Sequence, residues 1–507
     1  MIGRAFDSIA GIFSKAVNRK EARARLQGKK LQTRRYEAAS FSDKTKGWYA
    51  PKSSSIVETK LYLSTLRDRS RDLVRNNAIA RRGLDVLTSN VIGAGIVPKI
   101  HCESTLKRQK IEDHLKRFID ECDYSGRLDF YGLQALHFRS MLEAGESLMK
   151  FVYLRKPMPL KLYSLEADFI DPYKEGYFET GLVCQGIEFA KPNDPTQTTI
   201  EEIGKPQAYW LYRNHPGGFL FNGFTVGSIR IPASDIVHCF QVERPGQVRG
   251  IPKLTCVALK LRDLDQYSFA QLSRQKLSAC YAGFIRDVNE QLDSVASKDE
   301  DYLEQVQPGM IEYLPFGKDI VFNNPPDAPN YPDYMRACIR EIAAGLGISF
   351  EALSNDYSQV NFSSARMGWL EFHRTVQSYQ WVTFIPGWIQ PVMNKFLEMV
   401  SLLGVDTSDV TLSYTPPRRE MIDPKAEIES MAEGLSNGFF SLSHYIREQG
   451  YEPEQQLKEL ASDKKLAESL GLNLAWFSEN KNADTQTGNS NQNQKKDERG
   501  WRGKEAG

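Results

Sequence analysis

Apolar side chains recur at helical spacing along most of this chain and at near-alternating spacing in one middle stretch, and that contrast sets the expected architecture. TKLYLSTLRDRSRDLVRNNAIARRGLDVLTSNVIG carries Leu63, Leu66, Leu73, Val74, Ile79, Leu84 and Leu87 among paired charges, which predicts helix. It stops at VIGAGIVP, where Gly93 and Gly95 permit turns and Pro98 cannot continue a helix. Residues 111–145 predict a second helical pair, broken at the turn-like YSGRLD. From Ser147 to Phe240 the runs SLMKFVYL, GLVCQGIEF, AYWLYR and DIVHCFQV read as short strands between Pro-, Gly- and Asn-rich turns, so this part is an α+β domain.

Helical spacing then returns. Leu254, Val257, Ala258, Leu261, Leu264 and Leu272 form a stripe opposite Lys260, Arg262, Asp263 and Asp265, predicting a long helix to about Cys280 that is pinned at its start by Gly250-Ile251-Pro252. MIEYLPFGKDIVFNNPPDAP reads as two short strands around Phe316-Gly317, closed by prolines. From Tyr334 to Pro386 the chain is proline-free but interrupted by the turn-prone NDYSQVNFSS, after which Trp369, Phe372, Val376 and Tyr379 recur at helical spacing. A last helical region opens at Asp423-Pro424 and runs to about Phe477. Beyond it only Ala483, Trp501 and Ala506 are apolar, the composition of a disordered tail.

Length and charge narrow the function. At 507 residues the chain exceeds what one core of roughly 250–300 residues holds. Lys+Arg at 65 against Asp+Glu at 64 excludes the strongly basic build of a protein that wraps nucleic acid. The cysteines at 102, 122, 184, 239, 256, 280 and 338 are odd in number and never spaced C-x-x-C, so neither a disulfide framework nor a thiolate zinc site is expected. No run reaches the roughly 18–20 apolar residues of a spanning helix. Ile2, Phe6, Ile9, Phe13 and Val17 predict an amphipathic N-terminal helix rather than a signal peptide, and the basic run from Lys15 to Arg35 reads either as a solvated, partly disordered arm or as one that leans on nucleic acid.

Catalytic signatures are missing. The Gly-Lys pairs at 28, 204, 317 and 503 are followed by Lys, Pro, Asp and Glu, so no phosphate loop exists, and neither H-E-x-x-H nor G-x-S-x-G occurs. Asp263 and Asp265, two positions apart on a helix, do not share a face and read as solvated charges. The histidines read as surface or satisfied core residues, and no metal or cofactor is expected.

Four segments, in order, carry a resemblance. RSRDLVRNNAIARRGLDVLTSNVIGAGIVP at 69–98, RPGQVRGIPKL at 244–254, IREIAAGLGISFEALSNDYSQVNFSSARMGWLE at 339–371 and DPKAEIESMAEGLSNG at 423–438 together resemble the lambda-type family of tailed-phage portal proteins. Asn361-Phe362 stands where that family commonly has Asn-Tyr, and Ala426 stands at its usual Glu. The resemblance covers roughly 60–477. It implies an α+β portal fold with an α+β wing, a two-helix stem, a small β clip, a kinked helix with a tunnel loop, and an α-helical crown.

Mapped by order, the resemblance implies an arm at 1–59, a wing at 60–252, stem helices at 253–282 and 331–353, and a clip at 283–330 between them. The tunnel loop falls at 354–363, a long helix returning to the wing at 364–422, the crown at 423–477 and a polar tail at 478–507. Its DNA-facing candidates are Asn355, Asp356, Tyr357, Ser358, Gln359, Asn361 and Phe362, and its motor- and connector-binding candidates are Tyr313, Phe316 and Lys318. The family's role is a non-enzymatic ring, usually of twelve copies, at the capsid vertex of the virion, assembled in the host cytoplasm. The partners implied are double-stranded DNA held without sequence preference, the terminase large subunit, major capsid and scaffolding proteins and the head–tail connector, with no membrane. Two alternatives share much of the composition: another virion structural protein, such as a head–tail adaptor or minor capsid protein, and a DNA-packaging enzyme, against which the missing phosphate loop argues.

Overall fold

The computed structural model describes residues 46–47, 49–50, 52–178, 180–190, 204–218, 227–279, 283–287, 318–322, 330–418, 423–449, 451 and 453–472. The expected N-terminal helix and basic arm, Phe316-Gly317 and the polar tail lie outside these residues. The chain divides into Met1–Ser54 and Ser55–Gly507. In the first, the Tyr49 amide donates to the Gly47 carbonyl at 3.1 Å.

In the second, the segment read as continuously helical splits into α1 (Ser55–Asn76) and α2 (Ala78–Val91). The break is chemical. Asn77 takes extended backbone angles and its side chain accepts from the Ala80 amide at 2.8 Å, satisfying a donor that the start of a helix leaves unpaired. After β1 (Val97–His101), α3 (Thr105–Glu121) and α4 (Phe130–Ala144) flank the expected turn, and Asp129 caps α4 by accepting from Gly132 at 2.7 Å.

β2 (Glu146–Tyr153) is the centre of an antiparallel three-stranded sheet between β3 (Leu160–Leu165) and β9 (Ile236–Phe240), with Leu148 opposite Leu165 on one side and His238 on the other. Its first four residues are all buried, the pattern of a strand covered on both faces. A five-stranded antiparallel meander follows: β4 (Gly176–Phe178), β5 (Gly181–Cys184), β6 (Ile187–Ala190), β7 (Pro206–Tyr212) and β8 (Ser228–Pro232). Ile187, Tyr209, Leu211 and Ile231 of this sheet pack with Leu148 and Ile236 into one apolar cluster.

α5 (Ala258–Ala279) begins after a 3₁₀ turn, Lys253–Cys256. Antiparallel β10 (Gly283–Asp287) and β11 (Lys318–Phe322) come next, then α6 (Tyr331–Leu346), α7 (Phe350–Ser354) and α8 (Phe362–Ser378). The helix does not stop at Pro386, as a missing N–H predicts. It continues as a π-helical segment, Tyr379–Ile389, into α9 (Gln390–Leu402), and the Gln390 amide bonds Ile385 O five residues back. Wider π turns accommodate the proline ring on the exposed side. The opposite side is anchored by Trp388, fully buried and stacked on Phe384 at 5.5 Å and on Phe130 at 5.6 Å. β12 (Thr411–Thr415) returns to pair antiparallel with β1, and α10 (Pro424–Ser436), α11 (Leu442–Glu448) and α12 (Pro453–Ser469) follow. Among the described residues no helix is long and apolar enough to cross a membrane.

Candidate functional site

The connection between α6 and α8 is built one cap at a time. α6 ends because Gly347 takes the left-handed conformation at φ 74°, and the Ile348 amide donates back to Ala343 O at 3.1 Å, closing a Schellman stop. Ser349 restarts the chain as the cap of α7, accepting from Ala352 at 3.2 Å. Asn355 ends α7 in the left-handed region at φ 56°, a conformation asparagine tolerates better than most residues. Asp356 then accepts from the Ser358 amide at 3.0 Å and its hydroxyl at 2.6 Å, which hold the Asp356 carboxyl below its ordinary pKa. Asn361 caps α8 by accepting from Ser364 at 2.8 Å.

Most of the sequence-predicted loop residues are therefore committed to the backbone. Asn355, Asp356, Ser358 and Asn361 shape the loop, whereas Tyr357, 61% exposed, and Gln359 present exposed side chains. Phe362 opens α8, and nothing of its side chain is described. Tyr313 and Phe316 lie outside the described residues; Lys318 begins β11, in register with Asp287. The loop contains no Lys or Arg, but α2 brings one to it. Arg82 donates from Nε to Ala352 O at 3.1 Å and from Nη2 to Asn355 Oδ1 at 2.9 Å, a clamp that sequence spacing did not reveal. Beneath the loop lies a cavity of about 360 Å³, lined in part by Arg82, Tyr357, Val360 and Trp369.

The loop stands on α5 and α6, which pair antiparallel. Lys260 meets Glu341 at 2.8 Å, and Tyr267 stacks on Tyr331 at 5.7 Å and edge-on against Tyr334 at 4.7 Å. Gly345 permits the approach, since a Cβ there would collide with Val257. Asn77, besides capping α2, donates to Asp265 on α5 at 2.8 Å. Asp265 is exposed, but it is not the purely solvated charge its spacing suggests; the paired Asn76-Asn77 was the available signal.

A buried ionic cluster lies where the Gly-Gln-x-Arg-Gly-x-Pro segment enters α5. Glu146 is fully buried at the start of β2, and Arg249 donates to its carboxylate from Nε at 3.0 Å to each oxygen and also from Nη2. Arg67 of α1 adds a bond at 2.7 Å, His238 faces Oε2 at 2.9 Å, and the Gly250 amide donates at 3.1 Å. Burial by itself would raise the pKa of Glu146; Arg249, His238 and Arg67 outweigh it and hold the carboxyl well below the usual carboxylate range. Gly145, at φ 90°, and Gly250 pack backbone on backbone: a Cβ on Gly145 would lie 2.6 Å from Ile251 C, and one on Gly250 would strike Gly145 O.

Glu166, Asp168 and His215 bring ligand-type atoms within 4.8 Å of one another. Arg71 already bonds Glu166 at 2.9 Å and Asp168 at 2.6 Å, so a protein cation holds the position a metal would need.

Known proteins give this architecture a context. A portal protein of Escherichia phage N15 is 21% identical over 372 residues, covering 64% of this chain and 67% of its own length. A chain of the virion of a native gene transfer agent particle superposes with a TM-score of 0.44 at 14% identity, over 77% of this chain and 94% of that one. The probable portal protein of Halomonas phage phiHAP-1 is 25% identical over 475 residues, 87% of this chain and 88% of the relative. The model of the family described as phage portal protein, lambda family, matches residues 41–380, and the chain belongs to that family.

Proposed function

We propose that this chain is one subunit of a closed, twelve-membered ring that conducts double-stranded DNA at the capsid vertex and is structural rather than catalytic. Portal proteins form oligomeric rings, and one observation on this chain carries the reading. The inner side of α5 is satisfied, with Leu261 and Leu264 buried, while Leu259, 71% exposed, and Phe269, 72% exposed, stand on the opposite side with no cover from the described residues. A helix with two apolar sides calls for a neighbour, and a head-to-tail contact whose rotation closes generates a ring. Native mass measurement tests it: assemblies of twelve 57.6 kDa subunits are expected, and a monomer at micromolar concentration overturns the reading.

In this reading α5 and α6 are the stem, residues 283–330 the clip, 354–363 the tunnel loop, and α10 to α12 the crown. Tyr357 and Gln359 are the loop side chains that meet DNA, through neutral hydrogen bonds worth about 1 kcal/mol each, weak enough for the duplex to slide. Tyr357→Lys with Gln359→Lys adds two cations per subunit without disturbing the caps, so rings should assemble normally, bind DNA with a steeper salt dependence and package more slowly. Unchanged packaging per capsid would remove the loop from the channel. The clip, through Tyr313, Phe316 and Lys318, binds the terminase large subunit and later the connector; rings lacking 310–322 should lose motor binding, and retained binding refutes the assignment. The remaining contacts, with major capsid and scaffolding proteins, belong to the outer surface of the ring.

A further inference from the structure

Away from the loop, a cavity of about 1180 Å³ opens between α8 and the π segment on one side, β1 and β12 on a second, and α10 to α12 on a third. Its lining is unlike a packing defect. Two polar atoms are buried there without a hydrogen-bond partner, Tyr414 Oη on β12 and Gln449 Oε1 at the end of α11. Buried polar atoms are seldom left unpaired, so this pair, one a donor and one an acceptor, calls for a polar occupant. Burial also pushes the Tyr414 hydroxyl up to about 12, so it keeps its proton and donates.

Charge defines that occupant further. Lys99, Arg374 and Arg447 line the cavity against Glu427 and Glu454. Glu454 is already held from outside it by Arg108 at 3.0 Å and Lys458 at 2.9 Å. Neither Arg374 nor Arg447 pairs with a carboxylate among the described residues; Arg447 donates only from Nε to Ser443 O, at 3.1 Å, leaving its other N–H groups available. Trp381, 51% exposed, adds a flat aromatic face to the same wall. Guanidinium forks suit phosphate oxygens, and an open indole suits a planar base.

We infer that this cavity binds a nucleotide-sized anion, its phosphate held by Arg374 and Arg447 with the Tyr414 hydroxyl, its base on Trp381 and a base or sugar donor on Gln449. The phosphate could belong to a free nucleotide or to a DNA strand, and the two are separable. Titrate the assembled full-length protein with dAMP, with inorganic phosphate and with a blunt 12-base-pair duplex, and repeat with Arg374→Ala/Arg447→Ala, Arg374→Lys/Arg447→Lys and Trp381→Leu. Saturable dAMP binding is expected, competed by phosphate, weakened about tenfold or more by the alanine pair and much less by the lysine pair. Trp381→Leu should weaken dAMP roughly fivefold while leaving phosphate unchanged. Duplex binding that alone depends on the two arginines would replace the free nucleotide by strand phosphate. Absence of saturable binding to the wild type, or equal binding by the alanine pair in assemblies of normal mass, overturns the site.

Discussion

Substituting Glu146 by Gln preserves shape and removes one charge, so it isolates what the carboxylate does. Arg249 and Arg67 would then face a neutral amide in a site closed to water, with Gln185 O and Ala167 O, each at 3.3 Å from Arg249, as its remaining partners. Breaking a buried ion pair from one side costs about 3–5 kcal/mol, because the other charge stays buried. Spread over a unit as large as Ser55–Gly507, that lowers the thermal midpoint by roughly 3–5 °C. Melting followed by near-UV circular dichroism at neutral pH measures the shift, and hydrogen exchange along 244–254 localises it. The double variant Glu146→Gln/Arg249→Met should lose less than the sum of its parts, since each removes the other's partner. A single-variant midpoint within about 2 °C of wild type, or strict additivity, would show that the cluster is not the anchor described here.

Acid should act in two stages. His137 is buried between Ser147 and Ser164 and pushed down to about 3, so the unfolded chain takes up its proton first and stability declines from about pH 6.5 downward. The depressed Glu146 carboxylate contributes fully above about pH 4.3 and is lost as pH falls toward its folded value. His137→Asn should flatten the first stage alone, and an unchanged slope between pH 6.5 and 4.5 would refute it. Asn77→Ala removes a cap worth about 1 kcal/mol together with the bond to Asp265, and faster exchange at the Ala80 amide is the expected readout. Asn77→Asp should restore the cap but not the link to α5. Gly250→Ala forces a Cβ into the Gly145 carbonyl and should abolish soluble full-length protein; normal yield and melting would show that the strand start yields.

Local signals were readable and distant ones were not. Short apolar runs between turn residues placed β2, β7 and β9, because strands covered by a sheet or a helix leave their pattern in adjacent positions. The polar run after α7 read as a loop for the reason that it is one: asparagines, an aspartate and serines bond their own backbone there. Pro386 gives no sign of the π segment around it, since a proline tolerated inside one looks the same in sequence as one that ends a helix. Asn77 hid within a helical pattern that continues in phase on either side. Glu146 gave no sign at all: its partners stand 79 and 103 positions away, and no local rule links them.

Those separations also govern how the chain is made. Arg67 leaves the ribosome long before Arg249, and at 5–20 residues per second the interval is roughly 10–40 s. Glu146 itself precedes Arg249 by 103 positions, so for roughly the last 5–20 s of that interval α1 and β2 hold a half-neutralised cluster, and the α5 apolar side has yet to be synthesised. The final pairing is a late, long-range closure of the kind that slows folding. In the ring proposed above, a nascent subunit would complete its ionic anchor just before the α5 side on which a neighbour docks is made, so that subunit folding would precede assembly.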